Sequence, residues 1–183
     1  MYPLIRAAAL ALALQQAAAL TAELAAQGKN GSACPLVTEQ EIEAATGLDY
    51  KPGDEIDQEY EMIAGGDTCM WGGPSMVGDD LPEINITFIA ASAGGSHTEL
   101  RARRKPRPDC TRAPVADVGD GGFVESCEGS IRSASVYVRM GSSDLVVSVY
   151  QQEAKDGKQS LASAPKPVAI AIAKAAAARG KGN

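Results

Sequence analysis

The chain has 183 residues, a formal net charge of -6, and a composition that is 45% hydrophobic but only 4% aromatic. This length fits one domain, whose core must come from clusters of Ile, Val, Leu and Met because many hydrophobic residues are alanines near the two ends. The acidic balance argues against nucleic-acid binding by the surface as a whole.

The first 19 residues have the layout of a secretory signal peptide. Arg6 precedes an uncharged run of Ala and Leu, and three alanines at 17–19 form the small-residue exit that a signal peptidase cuts. The run is shorter than the roughly 20 apolar residues of a membrane span. An ordinary Ala/Leu helix is the alternative. We expect a secreted or periplasmic, cell-envelope protein with a linker at 20–33 and a single domain at 34–183.

The four cysteines predict two structural disulfides. Cys34, Cys69, Cys110 and Cys127 lack the close pairs of a zinc site and the C-x-x-C of a redox site. An even count behind an export signal is typical of disulfides. Three connectivities are open, and we favour Cys34–Cys69 with Cys110–Cys127 because each pair then closes its own loop. A metal site and free or lipidated thiols are the alternatives; charged residues between the apolar run and Cys34 disfavour a lipid anchor there.

A short helix is predicted to open the domain. Thr38 is suited to cap it, Glu41 completes a capping box, and Gly47 can end it in a left-handed turn. Ile42 is expected to face inward. The acidic stretch at 49–61 is interpreted as a solvated edge; a cation site is less favoured because calcium loops place their oxygens at a stricter spacing around a glycine.

Two strands are predicted next. Cys69 and Trp71 point to the same face of a short strand, where an indole beside a disulfide would seal a small core. A tryptophan exposed as a binding platform is the alternative. Hydrophobic and polar residues then alternate over 84–88, which is the period of a second strand.

Basic residues concentrate in the stretch that follows. Six of the 17 lysines and arginines fall within it, namely Arg101, Arg103, Arg104, Lys105, Arg107 and Arg112. Pro106 and Pro108 must end any helical turn that begins there. Such a cluster can bind an anionic polymer, acidic lipid headgroups or an acidic segment such as 49–61; a solvated loop beside Cys110 is the alternative.

The clearest pattern is a β-hairpin. Small and hydrophobic residues alternate with polar ones over 133–140, a turn is predicted at 141–144, and a second strand at 145–150. The preceding stretch, 113–129, is predicted to be rich in turns. A last, Ala-rich helix is predicted to begin at Pro167. Together the elements predict an α+β two-layer sandwich, in which an antiparallel sheet of about four or more strands carries the N-terminal and C-terminal helices on one face.

Four features carry a resemblance to a family: a cysteine before LVTEQEIEAATG, a C-x-W strand, VADVGDGGFVES before the hairpin, and the closing Ala-rich helix. Together they resemble the small secreted and lipoprotein domains of unknown function common in actinobacteria, whose fold is similar to the PsbP-like α/β sandwich. The resemblance covers residues 34–179 approximately, and the family's first two motif cysteines correspond to Cys34 and Cys69. It implies an envelope location and a fold, but no reaction. The usual lipobox is missing, and the pair Cys110 and Cys127 lies outside the family pattern.

No catalytic residue, metal ligand or cofactor is assigned from the sequence. His97 is the only histidine and no G-x-S-x-G motif accompanies it, so a hydrolase is the least favoured function. The favoured function is a non-enzymatic module that binds an envelope protein, a glycan or an anionic ligand, with no nucleic acid as partner. A sensor of anionic ligands or metal ions is the alternative. Two contact surfaces are expected, one on the hairpin and one in the basic stretch: Tyr137, Arg139 and Tyr150, or Arg101, Arg103, Arg104 and Lys105.

Overall fold

The computed structural model describes residues 33–55, 66–72, 81–90, 95–152 and 161–180. Its helical elements are a 3-10 helix at Cys34–Leu36, α1 (Glu39–Thr46), α2 (His97–Arg103) and α3 (Pro165–Gly180). Its strands are β1 (Asp54–Glu55), β2 (Gly66–Trp71), β3 (Glu83–Ile89), β4 (Cys110–Val115), β5 (Gly122–Cys127), β6 (Ile131–Met140) and β7 (Ser143–Gln152). The predicted signal peptide, the linker up to residue 32 and the acidic stretch from residue 56 onward lie outside the described residues.

The seven strands form one antiparallel sheet in the order β1-β2-β3-β7-β6-β5-β4, so the α+β class is confirmed. The predicted hairpin, β6 and β7, pairs with β5 on one side and with β3 on the other. Its register aligns apolar side chains across five strands, in a row formed by Cys69, Ile86, Val147, Val136 and Val124. Each of these residues is at most 1% exposed, and the row is the centre of the core.

The helix α3 packs on this apolar row and contacts mainly β6 and β7. Its inward residues Val168, Ile172 and Ala176 are buried, as their helical spacing predicts. The helix α1 contacts α3 in turn. Arg179 near the end of α3 donates through Nη1 and Nη2 to the carboxylate of Glu41, at 2.6 and 3.0 Å, and so joins the two helices.

The first helix begins and ends as the sequence predicts. The Thr38 hydroxyl accepts a hydrogen bond from Glu41 N, and Thr38 N donates to Glu41 Oε2 at 2.9 Å, which completes the capping box. Gly47 has a φ of 73°, in the left-handed region that favours glycine. Ile42 is fully buried. Local signals therefore fixed the bounds of this helix.

Both favoured disulfides, Cys34–Cys69 and Cys110–Cys127, are present. Trp71 is only 3% exposed, so it belongs to the core and is not a binding platform. A side chain on Gly53 would come within 2.5 Å of the Trp71 ring and 2.7 Å of Cys69 Sγ. The glycine therefore lets the backbone lie directly against the indole and the disulfide.

The opposite face of the sheet carries a second, smaller apolar cluster, formed by Ile89, Phe123, Tyr137 and Val146. The rings of Phe123 and Tyr137 stack with their centroids 4.9 Å apart. The helix α2 contacts β6 beside this cluster, and the His97 ring stacks on Tyr137 at 6.1 Å. Because Tyr137 and Val136 point to opposite faces of β6, α2 and α3 contact the strand from different sides.

The prediction of a turn-rich stretch at 113–129 is wrong for the residues that form β5 and the end of β4. The strand β4 carries a proline, Pro114, which is tolerated because β4 lies at an edge of the sheet. The strand β5 is specified by its pairing with β6, where Val124 lies opposite Val136, and not by a local apolar run.

Two element boundaries also differ from the prediction. The hairpin turn is shorter than predicted, because Met140 pairs with Ser143 and Gly141 takes a φ of 62°. The last helix begins at Pro165, two residues earlier than predicted. Proline is compatible with the first turn of a helix, so Pro165 and Pro167 both fit there.

Candidate anionic-ligand site

The candidate site is the last residue of α2 and the first part of its connection to β4, residues 103–107, which we call the basic turn. The helix ends at Arg103, and Arg104 takes extended backbone angles, with φ -80° and ψ 139°. Pro106 and Pro108 follow and prevent the helix from continuing, as predicted. The sequence of the turn therefore determines where α2 ends.

Arg112 on β4 fixes the shape of the basic turn. Its Nη1 donates to the carbonyl oxygens of Ala102 at 2.9 Å and Arg104 at 3.0 Å. These carbonyls belong to the C-terminal turn of α2, where intrahelical partners run out. The Nη2 of the same guanidinium donates to Glu125 Oε2 at 2.5 Å. One side chain thus ties the turn to the sheet.

Glu125 is the buried anion that holds this arrangement together. The residue is 4% exposed, and its second carboxylate oxygen accepts a hydrogen bond from Arg101 Nη2. Burial raises the pKa of Glu125, but the hydrogen bonds from Arg112 and Arg101 outweigh it and leave the pKa below its ordinary value. The carboxylate is therefore ionised at neutral pH and balances two cations.

Aromatic rings support both guanidinium groups. Arg112 Cζ lies 4.5 Å from the centroid of the Phe123 ring, and Arg101 Cζ lies 5.8 Å from that of Tyr137. A guanidinium over a ring face gains a favourable interaction with the ring quadrupole. Each of the two guanidinium groups, of Arg101 and Arg112, therefore contacts the carboxylate of Glu125 and the face of an aromatic ring.

Asp144 anchors the other end of α2. Its carboxylate accepts hydrogen bonds from Ser96 Oγ at 2.8 Å, His97 N at 2.7 Å and Thr98 N at 3.3 Å. An anion at this end satisfies backbone donors that have no partner within the helix. Since Asp144 is only 3% exposed, these bonds attach the start of α2 firmly to β7.

The disulfide Cys110–Cys127 closes the far end of the basic turn. The two cysteines lie opposite each other in the pairing of β4 and β5. Beside them, Cys110 N donates to Arg107 O at 3.0 Å, and Glu128 N donates to Asp109 O at 3.1 Å. The basic turn is therefore constrained at both of its ends.

Four cations of the turn are exposed: Arg103, Arg104, Lys105 and Arg107. Arg107 lies 3.4 Å from Asp109, whereas the first three make no ion pair with any carboxylate of the described residues. These three charges face solvent on a protein whose formal net charge is -6. The turn is thus a fixed, locally positive surface on an acidic molecule.

The other predicted contact residues are paired within the protein or are at least half-buried. Arg101 pairs with Glu125, and Arg139 pairs with Glu99 on α2. Tyr137 is only 8% exposed. Tyr150 is half-buried, and burial raises its pKa. Of the predicted residues, Arg103, Arg104 and Lys105 are brought together on the surface of the basic turn.

Sequence reasoning placed Arg112 in the basic cluster without its organising role, and it missed Glu125 and Asp144 altogether. Each lies in a strand and forms side-chain hydrogen bonds with residues that are distant along the chain: Arg112 and Glu125 are 13 residues apart, and Asp144 is 48 residues from Ser96. The one available signal was the pair of charged residues at matching positions of two strands. The two charged residues could be recognised as a pair only once the register of β4 and β5 was known.

One group of metal-ligating residue types occurs among the described residues, formed by Cys110, Glu125 and Cys127. The two sulfurs are bonded to each other. Both carboxylate oxygens of Glu125 accept hydrogen bonds from guanidinium groups. The oxidised protein therefore offers no thiolate and no unoccupied carboxylate for a cation at this position.

Comparisons with family models, with curated proteins and with solved structures find no match to this chain. Within the described ranges, no helix is long and apolar enough to cross a membrane. The function is therefore inferred from the chemistry of the residues themselves.

Proposed function

We propose that this protein is an exported, disulfide-stabilised, non-enzymatic binding module that holds an anionic partner at the basic turn. The observation that carries the proposal is the set of three exposed cations, Arg103, Arg104 and Lys105, on a turn fixed by Arg112. Because the backbone of the turn is already held in place, less conformational entropy is lost when a partner binds. The complementary charge gives fast association that weakens with added salt.

Export is part of the proposal. It is supported by the leader-like residues 1–19 and by the two disulfides, which persist in oxidising compartments. The proposal also includes a family relationship to the small secreted and lipoprotein domains of actinobacteria. It includes as well a two-layer sandwich for the whole domain. The contacts of α1 with α3, and of α3 with the sheet, support the placement of the first and last helices on one face.

The binding proposal is tested by titration with dextran sulfate, a soluble polyanion, at low and moderate salt. The variant Arg103→Ala/Arg104→Ala/Lys105→Ala is expected to lose about tenfold in affinity, since three exposed charge pairs at about 0.5 kcal/mol each sum to about 1.5 kcal/mol. The matched control is Arg132→Ala/Lys166→Ala/Lys174→Ala, which removes three exposed cations outside the turn. Equal losses in the two variants would show that binding follows net charge and would overturn the proposal.

Export is tested by the intact mass of the protein from an exporting host, with and without reductant and alkylating agent. The expected product begins near Leu20 and has four cysteines that resist alkylation until reduced. A full-length mass with free thiols would contradict export and would leave the binding experiment unaffected.

A further inference from the structure

Two large hydrophobic side chains are exposed among the described residues, Leu100 and Ile131, each at 47%. Leu100 lies in α2, on the side away from buried Thr98 and from Arg101, which turns toward Glu125. Leu100 and Arg103 are three residues apart in α2, so they lie on the same side of the helix. An exposed leucine is thus adjacent to the basic turn.

The charges around Leu100 are almost all positive. Arg103, Arg104 and Lys105 follow it, and Glu99, which precedes it, is paired with Arg139. We call Leu100, Arg103, Arg104 and Lys105 the Leu100 patch. It combines one apolar side chain with three exposed cations at the C-terminal end of α2 and in the residues that follow it. Asp144 holds the start of this helix, and Glu125 holds Arg101 on its inner side.

We propose that the Leu100 patch docks on the surface of an anionic lipid membrane. This inference rests on the proposed function and narrows the partner to one class. In this arrangement the three cations contact the headgroup phosphates, and Leu100 inserts into the interfacial region of the bilayer. A soluble polyanion gains nothing from an exposed leucine, whereas a membrane surface gains from the leucine and from the cations.

The charge of the rest of the molecule favours the same orientation. The protein has a formal net charge of -6 even though the Leu100 patch is positive, so the remainder is strongly acidic. An anionic surface repels the acidic remainder and attracts the patch, which turns the basic turn toward the membrane. With three cations and one leucine, the docking is weak and reversible.

The experiment measures co-sedimentation with phosphatidylcholine vesicles that contain no phosphatidylglycerol or about one third of it, alongside the dextran sulfate titration. The wild type is expected to bind only the anionic vesicles. Removing the three cations is expected to weaken that binding roughly 100-fold, at about fivefold for each cation near such a surface. Leu100→Ser is expected to weaken it about fivefold, because the interface removes only part of the side chain from water.

The matched control for Leu100→Ser is Ile131→Ser, which replaces the equally exposed hydrophobic residue on β6. Leu100→Ser should leave the affinity for dextran sulfate unchanged, and circular dichroism shows whether each variant is folded. Equal effects of Leu100→Ser and Ile131→Ser on vesicle binding would overturn the membrane inference. Binding to dextran sulfate without binding to vesicles would also overturn it and leave the proposed function standing; binding to neither would overturn both.

Discussion

At the scale of single residues, Glu125 determines how the basic turn is held. Its carboxylate lies between the guanidinium groups of Arg101 and Arg112, and its side chain is 5% exposed. Removing one partner from a buried ionic network leaves the others desolvated and unpaired, which costs more than the network itself contributes. Glu125 is therefore the position where a small change should have the largest effect.

Glu125→Gln is expected to lower the free energy of unfolding at pH 7 by about 2–3 kcal/mol, because two partly buried guanidinium groups lose their counter-charge. The measurement is urea denaturation. Glu128→Gln is the control, since Glu128 is exposed on the neighbouring loop and its replacement should change stability by less than about 0.5 kcal/mol. Equal effects of the two variants would contradict the role assigned to Glu125.

The same variant has an expected pH dependence. The pKa of Glu125 is lowered in the folded protein from an ordinary value of 4.5. Its stabilising contribution is therefore fully present above pH 4.5 and is lost as the pH falls through the folded pKa. The difference in stability between wild type and Glu125→Gln should shrink when the urea experiment is repeated near pH 3. A difference that stays constant with pH would mean that ionised Glu125 is not its source.

The role of Glu125 could not be predicted from the sequence. A glutamate in a stretch that is predicted to be rich in turns is expected at the surface, and its partner Arg101 is 24 residues away. The four cysteines, in contrast, left only three connectivities open, and the favoured one, in which each pair closes its own loop, is confirmed. Four cysteines allow only a few disulfide pairings, so the sequence narrows the choice. A buried charged side chain, in contrast, can be recognised only after the strand register is known.

At the scale of elements, α1 shows how far local signals reach. Thr38, Glu41 and Gly47 determine its start and its end without help from the rest of the chain. Strands β4 and β5 show the limit of such signals, because β4 carries Pro114 at a sheet edge and β5 gains its stability from β6. Helix ends are encoded locally, and the outer strands of this sheet are not.

Thr38→Ala is expected to lower the free energy of unfolding by about 1 kcal/mol, because the cap of α1 loses the hydroxyl that accepts from Glu41 N. Thermal denaturation followed by circular dichroism measures the loss. Thr38→Ser keeps the hydroxyl and should remain close to wild type. If serine is as destabilising as alanine, the loss comes from the threonine methyl group and not from the cap.

At the scale of the whole molecule, the two disulfides join different parts of the fold. Cys34–Cys69 attaches the N-terminal 3-10 helix to β2 in the core and spans 35 residues. Cys110–Cys127 joins β4 to β5 and spans 17 residues. A cross-link restricts the unfolded chain more strongly when the loop it closes is longer.

Replacing Cys34 and Cys69 together by alanine is expected to cost about 4 kcal/mol, and replacing Cys110 and Cys127 about 3 kcal/mol, from loop-closure entropy. Alanine avoids burying a hydroxyl at Cys69, which is fully buried. Urea denaturation of the two double variants gives the ranking. A larger loss for Cys110 and Cys127 would show that their local contacts with the basic turn outweigh the difference in loop length.

The basic turn is proposed as the surface on which an anionic partner binds. The most direct test is a titration of 15N-labelled protein with dextran sulfate, followed by the amide chemical shifts of each residue. We predict that the perturbations concentrate at residues 100–107 and fade as salt is added. Perturbations centred on α3 or on β2 and β3, with residues 100–107 unchanged, would contradict the claim.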